Sequence, residues 1–100
     1  MTGTRAGPLR EVRARVRGRV QGVGYRYFVR DTALRLGVAG WVRNEPDGTV
    51  SLVAVGDEGT LREFLSAIRA EGDPFIRVQD ISVEWADPAQ IPAGFVIRRD

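Results

Sequence analysis

The stretch GRVQGVGYR, residues 18–26, places three glycines and two arginines in nine residues, with no acid among them. Gly18, Gly22 and Gly24 fall where an alternating pattern gives way to a helical one. At such a junction the unpaired N–H groups of the first helical turn face the preceding loop, and the helix dipole favours an anion there. Glycines let successive amides turn inward as a concave nest for oxyanions. Arg26, at the start of the helical segment, adds a planar, permanently charged fork suited to phosphate. The glycine spacing by itself also fits an ordinary tight turn. It is not a Walker loop, because no Gly-Lys-Ser/Thr follows, and it is not the dinucleotide fingerprint of a parallel βαβ unit.

Composition narrows the chemistry further. The 100 residues hold no cysteine and no histidine, which excludes disulfides, thiolate nucleophiles and the commonest general base and zinc ligand. No metal or other cofactor is expected. All fifteen basic residues are arginine, and they are unevenly spread. Residues 1–43 carry ten arginines against Glu11 and Asp31, whereas residues 44–100 carry five against eleven acids. A basic half attracts phosphate or nucleic acid, and it also describes an ordinary solvated surface. No apolar run reaches the roughly 20 residues of a membrane span, and the N-terminus lacks the apolar core of a signal peptide. A cytoplasmic location without a membrane partner is the default expectation.

The elements that must position the loop follow from periodicity. Val12, Ala14, Val16 and Val20 alternate with Glu11, Arg13, Arg15, Arg17 and Arg19, which predicts a strand with one dry and one wet face. Tyr25, Phe28, Val29, Thr32, Ala33 and Leu36 recur at helical spacing, with Gly37 as the stop. VAGWVRN and TVSLVAVG then read as two strands about an EPDG turn. Asp57 is expected to cap a second helix whose buried stripe is Leu61, Phe64, Leu65 and Ile68. IRVQDISVEWA reads as a fourth strand, with Asp80 marking an irregularity or its end, and FVIRR as a short terminal one. The order βαββαβ plus a short strand predicts an α+β, ferredoxin-like split βαβ sandwich, its antiparallel sheet carrying both helices on one face. Residues 1–9 are expected to form a flexible arm, and residues 10–100 a single domain. Trp41 and Trp85 are expected to pack rather than to bind.

Two motifs now carry a resemblance. GRVQGVGYR resembles the first signature of the acylphosphatase family, G-x-V-Q-G-V-x-[FY]-R, and GWVRNEPDGTV, residues 40–50, resembles the second, G-x-V-x-N-x-x-D-G-x-V. Similarity extends over about residues 10–99, with Tyr25 where phenylalanine is commoner. The resemblance implies hydrolysis of the carboxyl–phosphate anhydride of acyl phosphates. It assigns phosphate binding to Arg26 and to the backbone amides of Arg19, Val20, Gln21, Gly22, Val23 and Gly24. It assigns orientation of the attacking water to Asn44, which by position alone is an ordinary turn residue. Asp47 is expected to serve the turn, since a carboxylate beside phosphate would repel it.

The chemistry is feasible without His or Cys. An acyl phosphate expels a carboxylate, already a good leaving group, so positioning and charge stabilisation can supply most of the catalysis. The expected partners are a small-molecule acyl phosphate, and inorganic phosphate as product and inhibitor, with the chain a monomer. An RNA-binding module of the same architecture is disfavoured, because neither the exposed side of the first strand nor the third strand offers an aromatic for base stacking. An acylphosphatase-like domain serving a larger carbamoyl-transfer enzyme is the other alternative. Such proteins continue into zinc-binding domains, so a stand-alone enzyme is expected.

Overall fold

The computed structural model describes residues 7–99. The elements are β1 (Leu9–Arg19), α1 (Tyr25–Leu36), β2 (Ala39–Asn44), β3 (Val50–Asp57), α2 (Glu58–Ala67), β4 (Arg77–Ala86) and β5 (Phe95–Arg98). Most of the expected N-terminal arm lies outside the described residues, and Leu9 belongs to β1, opposite Asp57. The five strands form one sheet in the order β4-β1-β3-β2-β5. This is the ferredoxin-like α+β arrangement with a strand added beside β2.

The added strand corrects one expectation. The sheet is mixed rather than antiparallel, because β5 runs parallel to β2, with Gly40 opposite Phe95 and Arg43 opposite Arg98. The cause is topological. β4 finishes beside the start of β1, at the end of the sheet where β2 begins. A chain that crosses from one edge to the other at that end must enter β5 along the direction of β2.

The dry face of the sheet and the helices enclose the core. Val12 and Val16 of β1, Val50, Leu52 and Ala54 of β3 and Val42 of β2 meet Val29 and Ala33 of α1 and Leu61, Phe64 and Ile68 of α2, all buried. Each large side chain so enclosed contributes about 1.5–3 kcal/mol relative to exposure. The expected helix boundaries hold physically as well. Gly37 caps α1, with the Val38 N–H donating to the Ala33 carbonyl. The Asp57 carboxylate accepts the Thr60 N–H at 2.9 Å and so caps α2.

The other face is less wet than the alternation implies. Glu11 lies on it yet is only 5% exposed, its carboxylate 2.6 Å from the Arg13 Nε. The segment 87–94 runs over the same face, where Ala89, Gln90 and Pro92 line a groove of about 930 Å³ together with Glu11, Arg13 and Arg98. On this face the Arg43 and Arg98 guanidiniums lie 5.3 and 4.7 Å from the ring centre of Trp41. Trp85 is opposite Val12 and so on the helix-covered face, with the Arg10 and Arg62 guanidiniums 5.7 and 5.0 Å from its ring centre. Trp85 packs against the core, as expected, whereas Trp41 lines the groove.

The irregularity expected near Asp80 is a bulge. Arg17 faces Asp80 but Gly18 faces Val78, so Gln79 is the extra residue. Gly18 therefore sits inside β1 rather than in the loop. A Cβ there would lie 2.0 Å from the Arg77 carbonyl oxygen, and its φ of 134° suits glycine. The bulge increases the local twist of β1 just before the loop begins.

Tyr25 opens α1 and is 1% exposed, its hydroxyl donating to the Ile68 carbonyl at 2.7 Å. Burial pushes its phenol up from the usual range, so it stays protonated and able to donate. This hydroxyl ties the start of α1 to the end of α2. Tyr25→Phe is expected to lower the unfolding free energy by about 1 kcal/mol, read by urea titration, with kcat unchanged.

Candidate active site

The end of β1, the loop 20–24, the start of α1 and the end of β2 together form the candidate site. Val20 is buried in the core and Val23 packs against it, so two apolar anchors hold a loop whose glycines are exposed. Gly22 and Gly24 have φ of 74° and 81°, which lets the loop coil tightly into the helix. Gly24 is the N-cap of α1 and offers no side chain to its amides.

Those amides are the main feature of the site. The first backbone bond at this end of α1 runs from the Phe28 N–H to the Gly24 carbonyl at 3.1 Å. Among the described residues, the amides of residues 21–27 donate to no carbonyl, and no side-chain oxygen caps them. The first turn contains no acid either. α2 is built the other way, with the Asp57 carboxylate at its N-cap and Glu58 in its first turn. The positive end of α2 is thus closed by its own chain, whereas that of α1 stays open to an external anion.

Arg26 lies in the first turn of α1, half-buried, and makes no ion pair or hydrogen bond among the described residues. Its neighbours on the helix are basic or aromatic. Tyr27 accepts a hydrogen bond from Arg99 at 2.9 Å, and the Arg30 guanidinium sits 5.1 Å from the Tyr27 ring centre. The Arg99 bond, with the charges of Arg99, Arg26 and Arg30, holds the Tyr27 phenol below its usual range. Arg19 ends β1 opposite Arg77. The local field therefore favours an anion.

Asn44 ends β2 opposite Val50. Its Oδ1 is shielded from solvent and has no hydrogen-bond partner. Buried side-chain acceptors are seldom left unpaired, so this one is a candidate contact for something outside the chain. The two carboxylates of the following turn are already engaged. Asp47 accepts from the Thr49 N–H and hydroxyl and from Arg15, which makes it a turn residue as expected. Glu45 accepts from the Ser51 hydroxyl and from Arg43 at 2.9 Å. Hydrogen bonds from Ser51 and Arg43 hold the Glu45 carboxyl below its usual range, and those from Thr49 do the same for Asp47. Both face cations, which limits their repulsion of an anion nearby.

Gln21 joins the two halves of the site. Its Nε2 donates to the Glu45 carbonyl at 2.8 Å and to the Thr49 carbonyl at 2.9 Å. The structure thus brings the glycine loop beside the turn that follows Asn44, and α1 packs against β2. The side-chain bridge is a contribution that the sequence reading missed, since it assigned Gln21 only a backbone amide. A long amide between Val20 and Gly22 was the available signal.

The family model described as Acylphosphatase matches residues 12–97. An acylphosphatase of Salinibacter ruber is 47% identical over 93 residues, covering 93% of this chain and 97% of the relative. One from Bacillus licheniformis is 54% identical over 69 residues, 69% of this chain and 76% of the relative. The crystal structure of acylphosphatase from Bacillus subtilis superposes with a TM-score of 0.84 at 43% identity, covering 89% of this chain and 98% of that one. The match across residues 12–97 and the identities to these relatives show that this chain belongs to the acylphosphatase family, the enzymes that hydrolyse acyl phosphates.

Proposed function

We propose that the chain hydrolyses the carboxyl–phosphate bond of acyl phosphates, with the amides of residues 19–24 and Arg26 holding the phosphoryl group and Asn44 orienting the water. The observation that carries this reading is that, among the described residues, the amides over 21–27 donate to no carbonyl and the neighbouring Arg26 has no carboxylate partner. Neutral amides and one fixed cation suit a group whose negative charge is spread over several oxygens.

The reaction then needs little else from the chain. The water oxygen attacks phosphorus as the bond from phosphorus to the acyl oxygen breaks, and its electron pair leaves with the carboxylate. Inorganic phosphate is the second product. Such a transfer passes through a loose transition state, so alignment and charge stabilisation dominate over covalent chemistry. The carbonyl of Asn44 accepts a water hydrogen and fixes the line of attack, a proximity effect rather than base catalysis. The Oδ1 has no hydrogen-bond partner among the described residues, and it must turn outward to reach the water.

Steady-state hydrolysis of a synthetic acyl phosphate tests the reading. Inorganic phosphate is expected to inhibit competitively, because it matches the group the cradle holds. Turnover is expected to survive exhaustive chelation, since none of the assigned steps uses a metal. Loss of activity in EDTA that Mg²⁺ restores, or inhibition by phosphate that does not compete with substrate, would contradict it.

A further inference from the structure

We infer that the side chain of Gln21 is a positioning residue for hydrolysis, setting Asn44 in place relative to the phosphate cradle. The inference rests on the role given above to Asn44. It starts from where the two N–H groups of the Gln21 amide go. Both reach carbonyls of the β2–β3 turn, those of Glu45 and Thr49. These carbonyls already close the turn, Glu45 accepting from the Gly48 N–H and Thr49 from the Glu45 N–H. Each carbonyl oxygen has two lone pairs, and Gln21 takes the second of each.

Gln21 therefore spans the mouth of the turn at its two ends. Asn44 is covalently joined to Glu45, so it lies about 3.8 Å, Cα to Cα, from a residue that Gln21 grips. Among the described residues no other side-chain hydrogen bond runs from residues 20–24 to residues 44–50. The pairing of Asn44 with Val50 belongs to the β2–β3 ladder and does not involve Gln21. Removing the amide should leave the sheet formed while releasing the turn from the loop. The cradle keeps its own anchors in Val20 and Val23. Loss of the bridge should therefore disturb the direction of attack more than the binding of phosphate.

Gln21→Met keeps the length and removes both donors, and Gln21→Glu keeps the shape and presents an acceptor to the two carbonyls. Both are expected to lower kcat by about 10- to 100-fold, the scale of a small misalignment of reacting groups. The inhibition constant for inorganic phosphate should stay within about threefold of the parent value in Gln21→Met, whereas the added carboxylate of Gln21→Glu repels the anion and should weaken its binding. Combined with Asn44→Ala, Gln21→Met should cost less than about a further twofold in kcat, because it acts through Asn44. Normal kcat in Gln21→Met, a matching loss of phosphate affinity in Gln21→Met, or a full multiplicative loss in the double variant would overturn the inference. So would loss of the fold in both single variants, which would make Gln21 a purely structural residue. If Asn44→Ala alone turned over normally, the reading of Asn44 would fail first and take this one with it. If Asn44→Ala were slow and Gln21→Met normal, this inference alone would fail.

Discussion

Arg26→Ala is expected to lower kcat/KM for an acyl phosphate by about 10²–10³-fold or more, with the far-UV spectrum and unfolding midpoint unchanged. The proposed binding groups beside it are neutral amides, so this one guanidinium supplies the fixed charge at the start of α1. It holds no carboxylate or carbonyl among the described residues, so removing it orphans no partner in the fold. Phosphate affinity should fall with turnover, because the same fork serves ground state and transition state. Arg26→Lys should restore little, since an ammonium does not present two parallel N–H donors to two phosphoryl oxygens. Near-parental turnover in a folded Arg26→Ala protein would remove the arginine from the mechanism.

Asn44→Ala is expected to separate the two halves of the reaction. Its side chain is neutral, so its loss changes little of the attraction for an anion, and phosphate should inhibit with nearly the parental constant. kcat should fall by about 10²-fold or more, because the attacking water loses its acceptor. Paired phosphate titrations and kcat values for Asn44→Ala and Arg26→Ala decide the matter. A loss of phosphate binding in Asn44→Ala as deep as in Arg26→Ala would make Asn44 a ligand of the phosphoryl group. Normal turnover would leave it a turn residue.

Much of the frame is legible in the sequence because local rules act directly on it. The helical stripe from Tyr25, the Gly37 stop and the Asp57 cap are each decided within a few residues, and the structure follows them. Two features are not local. The direction of β5 depends on which end of the sheet the chain leaves after β4, and no periodicity in FVIRR encodes that. Glu11 is buried on a face that the 87–94 crossing also lines, which alternation along β1 cannot register. Gly18 shows a third kind of gap. Its spacing suggests loop service, but the close approach of the Arg77 carbonyl is what requires it. Arg26 and Asn44 become readable as a pair only through the two motifs, because 17 residues of helix, turn and strand separate them. Gln21 joins their neighbourhoods through carbonyls, which carry no side-chain identity for a sequence to display.

The parallel strand β5 also bears on solubility. It covers the outer edge of β2, the strand that ends in Asn44, and the Arg98 guanidinium clasps Trp41 across that seam. Without β5, the free N–H and C=O groups of β2 would offer a template on which a second molecule could add its own strand. β5 itself is only four residues long, which makes it a poor template in turn. A single proteolytic cut in the 87–94 crossing that freed this strand would therefore do two kinds of damage at once. It would loosen the strand that ends in Asn44 and expose an unpaired edge, so that inactive chains would tend to leave solution rather than persist as soluble, silent enzyme.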